Sequence, residues 1–264
     1  MPEGDVLRLT AARIDAALRG TALTLGELRW PGLGGTSLTG RTLTSCLAYG
    51  KHLLARFDDG RTLHTHLRMD GQWRVLRTAG PPPQHPQVRA VLATGDWTCV
   101  GWRLGMVDLL RSRDEPRLLA RLGPDVLADD FLTEGVPQGV RHLADQRDRA
   151  LCDTLLDQSV VAGVGTIWMA ESLFALRWNP WRTADDLDDE ARALLLTTAH
   201  RLMARSVEIG RVHGLGRVPR AVHGRAGRPC RRCGTPIAVG EANEPPVERP
   251  VFWCPTCQDV SRPG

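Results

Sequence analysis

Lysine is almost missing from this chain. Of its 34 basic residues only Lys51 is a lysine, and the rest are arginine. A bias of that size fits a GC-rich coding sequence that converts lysine to arginine wherever a cation is all that is needed. The two side chains differ in one respect: an amine can give up its proton when its surroundings shift its pKa, and a guanidinium effectively cannot. Lys51 therefore either marks a point of proton transfer or survives by chance. Long apolar runs are missing too. No stretch approaches the ~18 residues of a membrane span, and Glu3 and Asp5 stand where a signal peptide would carry positive charge, so a cytoplasmic protein is expected. Cys46, Cys99 and Cys152 stand alone among apolar neighbours, as buried free thiols in a reducing compartment do. At 264 residues the chain is long enough for two domains and a small module without disulfides.

Acidic residues vanish between Arg211 and Cys233, where seven arginines and two histidines stand together. The net charge of +4 is modest, so a polyanionic partner is argued from this local stripe and not from the total. The stripe leads into Cys230-x2-Cys233 and, 20 residues on, Cys254-x2-Cys257. Two such pairs each supply two thiolates from a tight turn and together close a tetrahedral site around one structural Zn²⁺. A zinc module entered through a basic stripe is the usual build of a nucleic-acid-gripping finger. The alternative is a ribbon that only staples the C-terminus, with the arginines as a solvated face.

The spacing Leu7, Ala11, Ile14, Leu18 before Gly20 predicts a helix over Gly4–Leu18. Seven short strands are expected next, at Leu23–Arg29, Thr42–Ala48, His52–Phe57, Thr62–Leu67, Trp73–Arg77, Val88–Ala93 and Trp97–Trp102. Asp58-Asp59-Gly60 and Gly95-Asp96 are hairpin signals, Gly80–Pro83 a loop, and the whole argues for an antiparallel sandwich. After Gly123-Pro124-Asp125 the periodicity turns helical, with helices expected over Leu143–Leu156, Ile167–Leu176 and Leu187–Val207. Between the first two, Val161–Thr166 is a glycine-rich turn opening onto a helix N-terminus. It either holds a phosphate on backbone amides or is a tight helix–helix turn. The fold class expected is α+β: an N-terminal helix with an antiparallel β-sandwich over 1–125, a helical domain over 126–212, and a basic connector with the four-cysteine zinc finger over 213–264.

The chain begins Met1-Pro2-Glu3-Gly4. Initiator methionine is usually removed before a residue as small as proline, which would expose a secondary amine with a pKa near ~8. Attack of that amine on an aldehyde carbon gives an iminium, an electron sink that needs no protonation, and Glu3 can move the protons. The plainer reading is a frayed terminus with acidic residues in the first helical turn, which the helix dipole favours.

Four motifs in order decide between these readings. Met1-Pro2-Glu3-Gly4 and Tyr49-Gly50-Lys51-His52-Leu53-Leu54 resemble the formamidopyrimidine-DNA glycosylase and endonuclease VIII family. The run Leu155-Leu156-Asp157-Gln158 through Gly163-Val164-Gly165 to Glu171-Ser172-Leu173-Phe174 is similar to its helix–two-turn–helix. Val222-His223-Gly224-Arg225 through Cys230, with Arg249-Pro250-Val251-Phe252-Trp253-Cys254, is similar to its zinc finger. The resemblance implies a bifunctional DNA glycosylase and AP lyase of base excision repair. In it Pro2 attacks C1′ of the damaged nucleotide to form the Schiff base, Glu3 protonates the sugar ring oxygen, and Lys51 assists β-elimination. Arg249, expected at the finger's β-turn, grips the phosphate beside the lesion and is tied to δ-elimination. Met69 falls where a side chain is wedged into the gap left by the extruded base. His66, Arg68, Arg103, Arg121, Gly165 and Thr166 fall among the DNA contacts. The partner implied is damaged double-stranded DNA, met by a monomer at the nucleoid.

Three positions depart from the family pattern. Thr166 stands where the family has asparagine, which removes one donor. Trp102-Arg103-Leu104-Gly105 replaces the Arg-Arg-Phe-Gly of the purine-directed branch. The finger ending Arg249-Pro250 with Phe252-Trp253 is closer to the endonuclease VIII branch. The last two favour oxidised pyrimidines over 8-oxoguanine. An oxidised-purine glycosylase, an enzyme for abasic sites alone and a non-catalytic zinc-dependent DNA-binding relative are the alternatives.

Overall fold

The computed structural model describes residues 2–214 and 218–258, so Arg217 of the basic stripe and Met1 lie outside the described residues. The chain divides into two compact units, Met1–Arg121 and Leu122–Gly264.

The first unit opens with helix α1 (Gly4–Leu18), as its periodicity required; Leu7, Ile14 and Leu18 are fully buried. Eight strands follow: β1 (Leu25–Leu28), β2 (Leu43–Tyr49), β3 (His52–Phe57), β4 (Arg61–His66), β5 (Gln72–Arg77), β6 (Val88–Ala93), β7 (Trp97–Trp102) and β8 (Met106–Arg111). They form two antiparallel four-stranded sheets in the orders β1-β6-β7-β5 and β2-β3-β4-β8. One apolar core joins the inward residues of both sheets to α1, with Leu53, Leu63, Leu92 and Cys99 among its members, so this is a sandwich with a helix on it. The seven expected strands are all present. The eighth, β8, escaped the sequence because Met106-Val107-Asp108-Leu109-Leu110 alternates poorly; only Val107 is fully buried there. A short helix α2 (Glu115–Leu119) ends the unit.

The second unit holds α3 (Val136–Ala144), α4 (Leu151–Leu156), α5 (Thr166–Leu176) and the long α6 (Asp189–His213). The single helix expected over Leu143–Leu156 is a correction: a turn separates α3 from α4, with Arg147 in the left-handed region at φ 46°. Apolar spacing carries no mark of such a break. α6 starts later than expected, capped by Asp188 accepting the N–H of Ala191, and runs six residues further, to His213. The finger contributes a hairpin of β9 (Ala238–Ala242) and β10 (Arg249–Trp253). No helix among the described residues is long and apolar enough to cross a membrane.

Candidate active site and nucleic-acid interface

In the first unit, α1 runs alongside β2 in the opposite direction. Asp15 accepts the backbone N–H of Cys46 at 2.7 Å, and the N–H of Gly20 reaches the carbonyl of Leu43. From Asp15 back to Gly4 the helix covers about 16 Å at ~1.5 Å per residue; from Cys46 on to Lys51 the strand covers about the same at ~3.3 Å per residue. Pro2 and Glu3 therefore arrive at the same end of the α1–β2 pair as Lys51. Glu3 is the N-cap residue of α1: its carbonyl accepts the N–H groups of Val6 and Leu7, and it is only 1% exposed. Pro2 stays partly accessible. This is an anchored terminus.

Lys51 sits at the tip of the β2–β3 hairpin, where Tyr49 pairs with His52 and Gly50 supplies the φ of 53° that a two-residue turn requires. Hairpin tips are ordinarily wet, yet this lysine is 7% exposed. Beside it stands a row of imidazoles missed by the sequence reading beyond His66. His52 of β3 is directly across from His66 of β4, and His64 lies two residues back on the same face. His52 Nδ1 and His64 Nε2 are 2.8 Å apart, and His66 Nδ1 accepts the N–H of Arg68 at 2.9 Å. Burial, then neighbouring His52, holds His64 down at about 4; burial and then His52 and Lys51 do the same to His66. His52 is lowered by burial and by Lys51. All three are neutral at pH 7.

The segment Leu67–Gly71 forms a closed turn in which Gly71 N–H bonds the carbonyl of Leu67. A Cβ at Gly71 would lie 2.4 Å from that carbonyl oxygen, so only glycine closes it. Arg68 takes the left-handed conformation at φ 52°, and Arg103 does likewise at φ 48°. Backbone held this way in non-glycine residues gathers at functional sites. The two arginines line an open cavity of about 370 Å³ with Met69, Gln87 and Arg89. Met69 projects from the turn with 61% of its surface in solvent. Arg121 is exposed at the end of the unit.

In the second unit the turn from α4 to α5 is stitched by Gln158, whose amide donates to the carbonyls of Leu156 and Val164 and accepts the N–H of Gly163. Gly165 is the N-cap of α5, and Thr166 is its first residue. The Thr166 hydroxyl lies 3.3 Å from His223 Nε2. Arg220 faces the Nδ1 of that ring, which leaves Nε2–H to donate to Thr166; burial and Arg220 keep His223 low, at about 4. Glu171 accepts the N–H groups of Ala221, Val222 and His223 and so fixes the connector.

The thiols of Cys230, Cys233, Cys254 and Cys257 all lie within 4.8 Å of one another, placed to hold one metal ion. Arg249 opens β10, past the turn where it was expected, with its guanidinium donating to the carbonyls of Val247 and Glu248. Cys46, Cys99 and Cys152 are buried thiols, and burial raises each of them, Cys99 to about 12.

An N-terminal helix on a β-sandwich, with Pro2, Glu3 and Lys51 carried toward one end of the α1–β2 pair, stands in one unit, and a glycine-rich helical turn and a four-cysteine cluster stand in the other. The chain matches the formamidopyrimidine-DNA glycosylase N-terminal domain over residues 1–109 and the H2TH domain of the same glycosylase over residues 122–214. It is 41% identical to a probable endonuclease 8 2 of Streptomyces coelicolor, covering all of this chain and 97% of that one. It is 36% identical to the DNA-(apurinic or apyrimidinic site) lyase Nei2 of Mycolicibacterium smegmatis over 99% of this chain and all of the other. Among solved structures, the MutM (Fpg) protein of Thermus thermophilus matches with a TM-score of 0.80 and 30% identity, over 99% of this chain and all of that one. The chain belongs to the formamidopyrimidine-DNA glycosylase and endonuclease VIII family.

Proposed function

We infer that this protein is a DNA glycosylase and AP lyase of base excision repair, acting on oxidised bases in duplex DNA, pyrimidines before purines. The observation that carries the chemistry is the arrival of half-buried Pro2, buried Glu3 and the sole lysine at one end of the α1–β2 pair. The Pro2 amine attacks C1′ as the base departs, Glu3 protonates the ring oxygen, and the open-chain iminium forms. Loss of the C2′ proton then drives β-elimination, with Lys51 as the proton carrier, and δ-elimination follows with Arg249 on the neighbouring phosphate. Met69 fills the gap of the extruded nucleotide; His66, Arg68, Arg103 and Arg121, together with Gly165 and Thr166 at the start of α5, hold the phosphates.

The four-cysteine cluster fits zinc. A tetrahedron with ~2.3 Å Zn–S bonds has S···S edges near ~3.8 Å, and Cys233–Cys254 and Cys230–Cys257 stand at 3.4 and 4.0 Å. Four thiolates leave no open position, so the ion would hold the hairpin of Arg249 together and do no chemistry. The working pieces are 1–125, 126–212 and 213–264, in a monomer that works with the nucleoid DNA. The pyrimidine preference rests on Leu104 in place of the purine branch's phenylalanine and on the Phe252-Trp253 ending. A panel of duplexes, each with one defined lesion, tests it: thymine glycol and dihydrouracil should be excised faster than 8-oxoguanine opposite cytosine. The reverse order assigns an oxidised-purine enzyme, and cleavage of abasic sites alone removes the glycosylase half.

A further inference from the structure

The outer face of the β2-β3-β4-β8 sheet carries polar groups where a sandwich needs none. Leu53, Ala55, Phe57 and Leu63 point into the core, so His52, Arg56, Thr62, His64 and His66 share the opposite face. Along it the groups are continuous. Arg56 and Thr62 bond the carboxylate of Glu115, His64 comes next, then His52, with His66 across from it and Lys51 preceding it in the chain. Among the described residues, Tyr49, Asp108 and Arg68 are the other titratable or charged groups here: Tyr49 pairs with His52, Asp108 with His64, and the backbone N–H of Arg68 donates to His66 Nδ1.

Two features set this apart from ordinary packing. His64 is 2% exposed, and among the described residues its Nδ1 meets no hydrogen-bond partner. A leucine would fill the position without stranding a polar atom, so a buried, half-satisfied imidazole calls for a functional explanation. The second feature is the 2.8 Å contact of His52 with His64, which can contain only one proton. The pair can take up one further proton; two would set N–H against N–H.

We propose, on the reading of the protein as an AP lyase, that His52 and His64 are positioning residues for Lys51. They lock the hairpin tip through their mutual hydrogen bond and keep the row that begins beside the lysine at His52 uncharged for the elimination step. His66, already placed on the DNA, shares the row, but His52 and His64 act only through Lys51. The depressed basicity of His64 and His66 agrees with this, because it keeps the row neutral at the pH where the amine works. Charging it would place a cation beside Lys51 and change both the position and the protonation of the amine that the neutral row holds in place.

The test uses the full chain on duplex DNA with a preformed abasic site, followed from about pH 8 to about pH 4.5 in single turnover. Borohydride trapping reads imine formation, and strand cleavage reads elimination. His64→Phe should reduce cleavage about tenfold more than trapping, since displacement of a reacting group by a fraction of an ångström has effects of that order. His64→Gln, whose amide can donate to His52 Nδ1 but cannot ionise, should restore most of the cleavage rate at neutral pH. Its loss of cleavage in acid should be shallower than that of the wild type. Equal losses of trapping and cleavage in His64→Phe, or a wild-type acid profile in His64→Gln, would overturn the proposal. A wild-type chain that neither traps nor cleaves would instead remove the lyase reading beneath it.

Discussion

Thr166 and His223 are joined: the hydroxyl at the first position of α5 lies 3.3 Å from the imidazole Nε2, and Glu171 fixes the backbone that carries the ring. The donor lost by having threonine in place of the family's asparagine thus has a second group beside it. Replacing His223 by alanine should weaken binding to abasic duplex severalfold, because the bond that orients the Thr166 hydroxyl is lost, a net effect of about 1 kcal/mol. Thr166→Ala should cost at least as much, and Glu171→Ala should lower the melting temperature as well by stranding three N–H groups. Fluorescence anisotropy and thermal melts check all three; unchanged affinity in His223→Ala would leave Thr166 to act by itself.

Zinc should stabilise the finger without entering the reaction. Cys254→Ser should lose the metal and DNA binding together, because the folding energy of such a module is largely metal–ligand energy. Arg249→Ala should keep one zinc per chain and a normal melt, yet bind DNA less tightly and shift the cleaved ends from δ- toward β-elimination. Metal analysis beside 3′-end analysis decides it. A metal-free chain that still makes normal δ-ends contradicts this role.

Much of this was legible in the chain. The helix α1 followed from four apolar residues on one face, and the four-cysteine cluster from two C-x2-C pairs. The lysine that composition singled out is buried at a hairpin tip where lysines are seldom buried. What stayed hidden depends on register. His64-Thr65-His66 shows alternation, but nothing local places His52 opposite His66. The bonds from Glu171 to residues 221–223 join segments 50 residues apart. The α3–α4 break is set by a left-handed Arg147 that no periodicity announces.

Lys51→Arg should bind DNA as the wild type does and cleave it more slowly. The charge toward phosphate is kept, but a guanidinium is a poor proton carrier. Single-turnover cleavage of abasic duplex at saturating enzyme is the measurement. Wild-type rates would make the lone lysine an accident of composition.

Stability should fall in acid. His64, His66 and His223 are all held at about 4, below the value near ~6.5 that an unfolded chain has. Between those limits the unfolded chain binds more protons, so stability is full above pH ~6.5 and declines as pH drops toward ~4. Melting temperature should decline from pH 7 to pH 5, less steeply in His64→Gln. A flat melting profile across that range would show that the imidazoles are not buried as described.

Pro2 is the proposed covalent attachment point, and borohydride trapping followed by peptide mass spectrometry locates the adduct. The native chain, with its initiator methionine removed, should cross-link to abasic duplex through residue 2. Pro2→Gly should trap weakly, and an uncleaved N-terminal tag should abolish trapping. Undiminished trapping by the tagged chain, with the adduct mapped to Lys51, would contradict the mechanism.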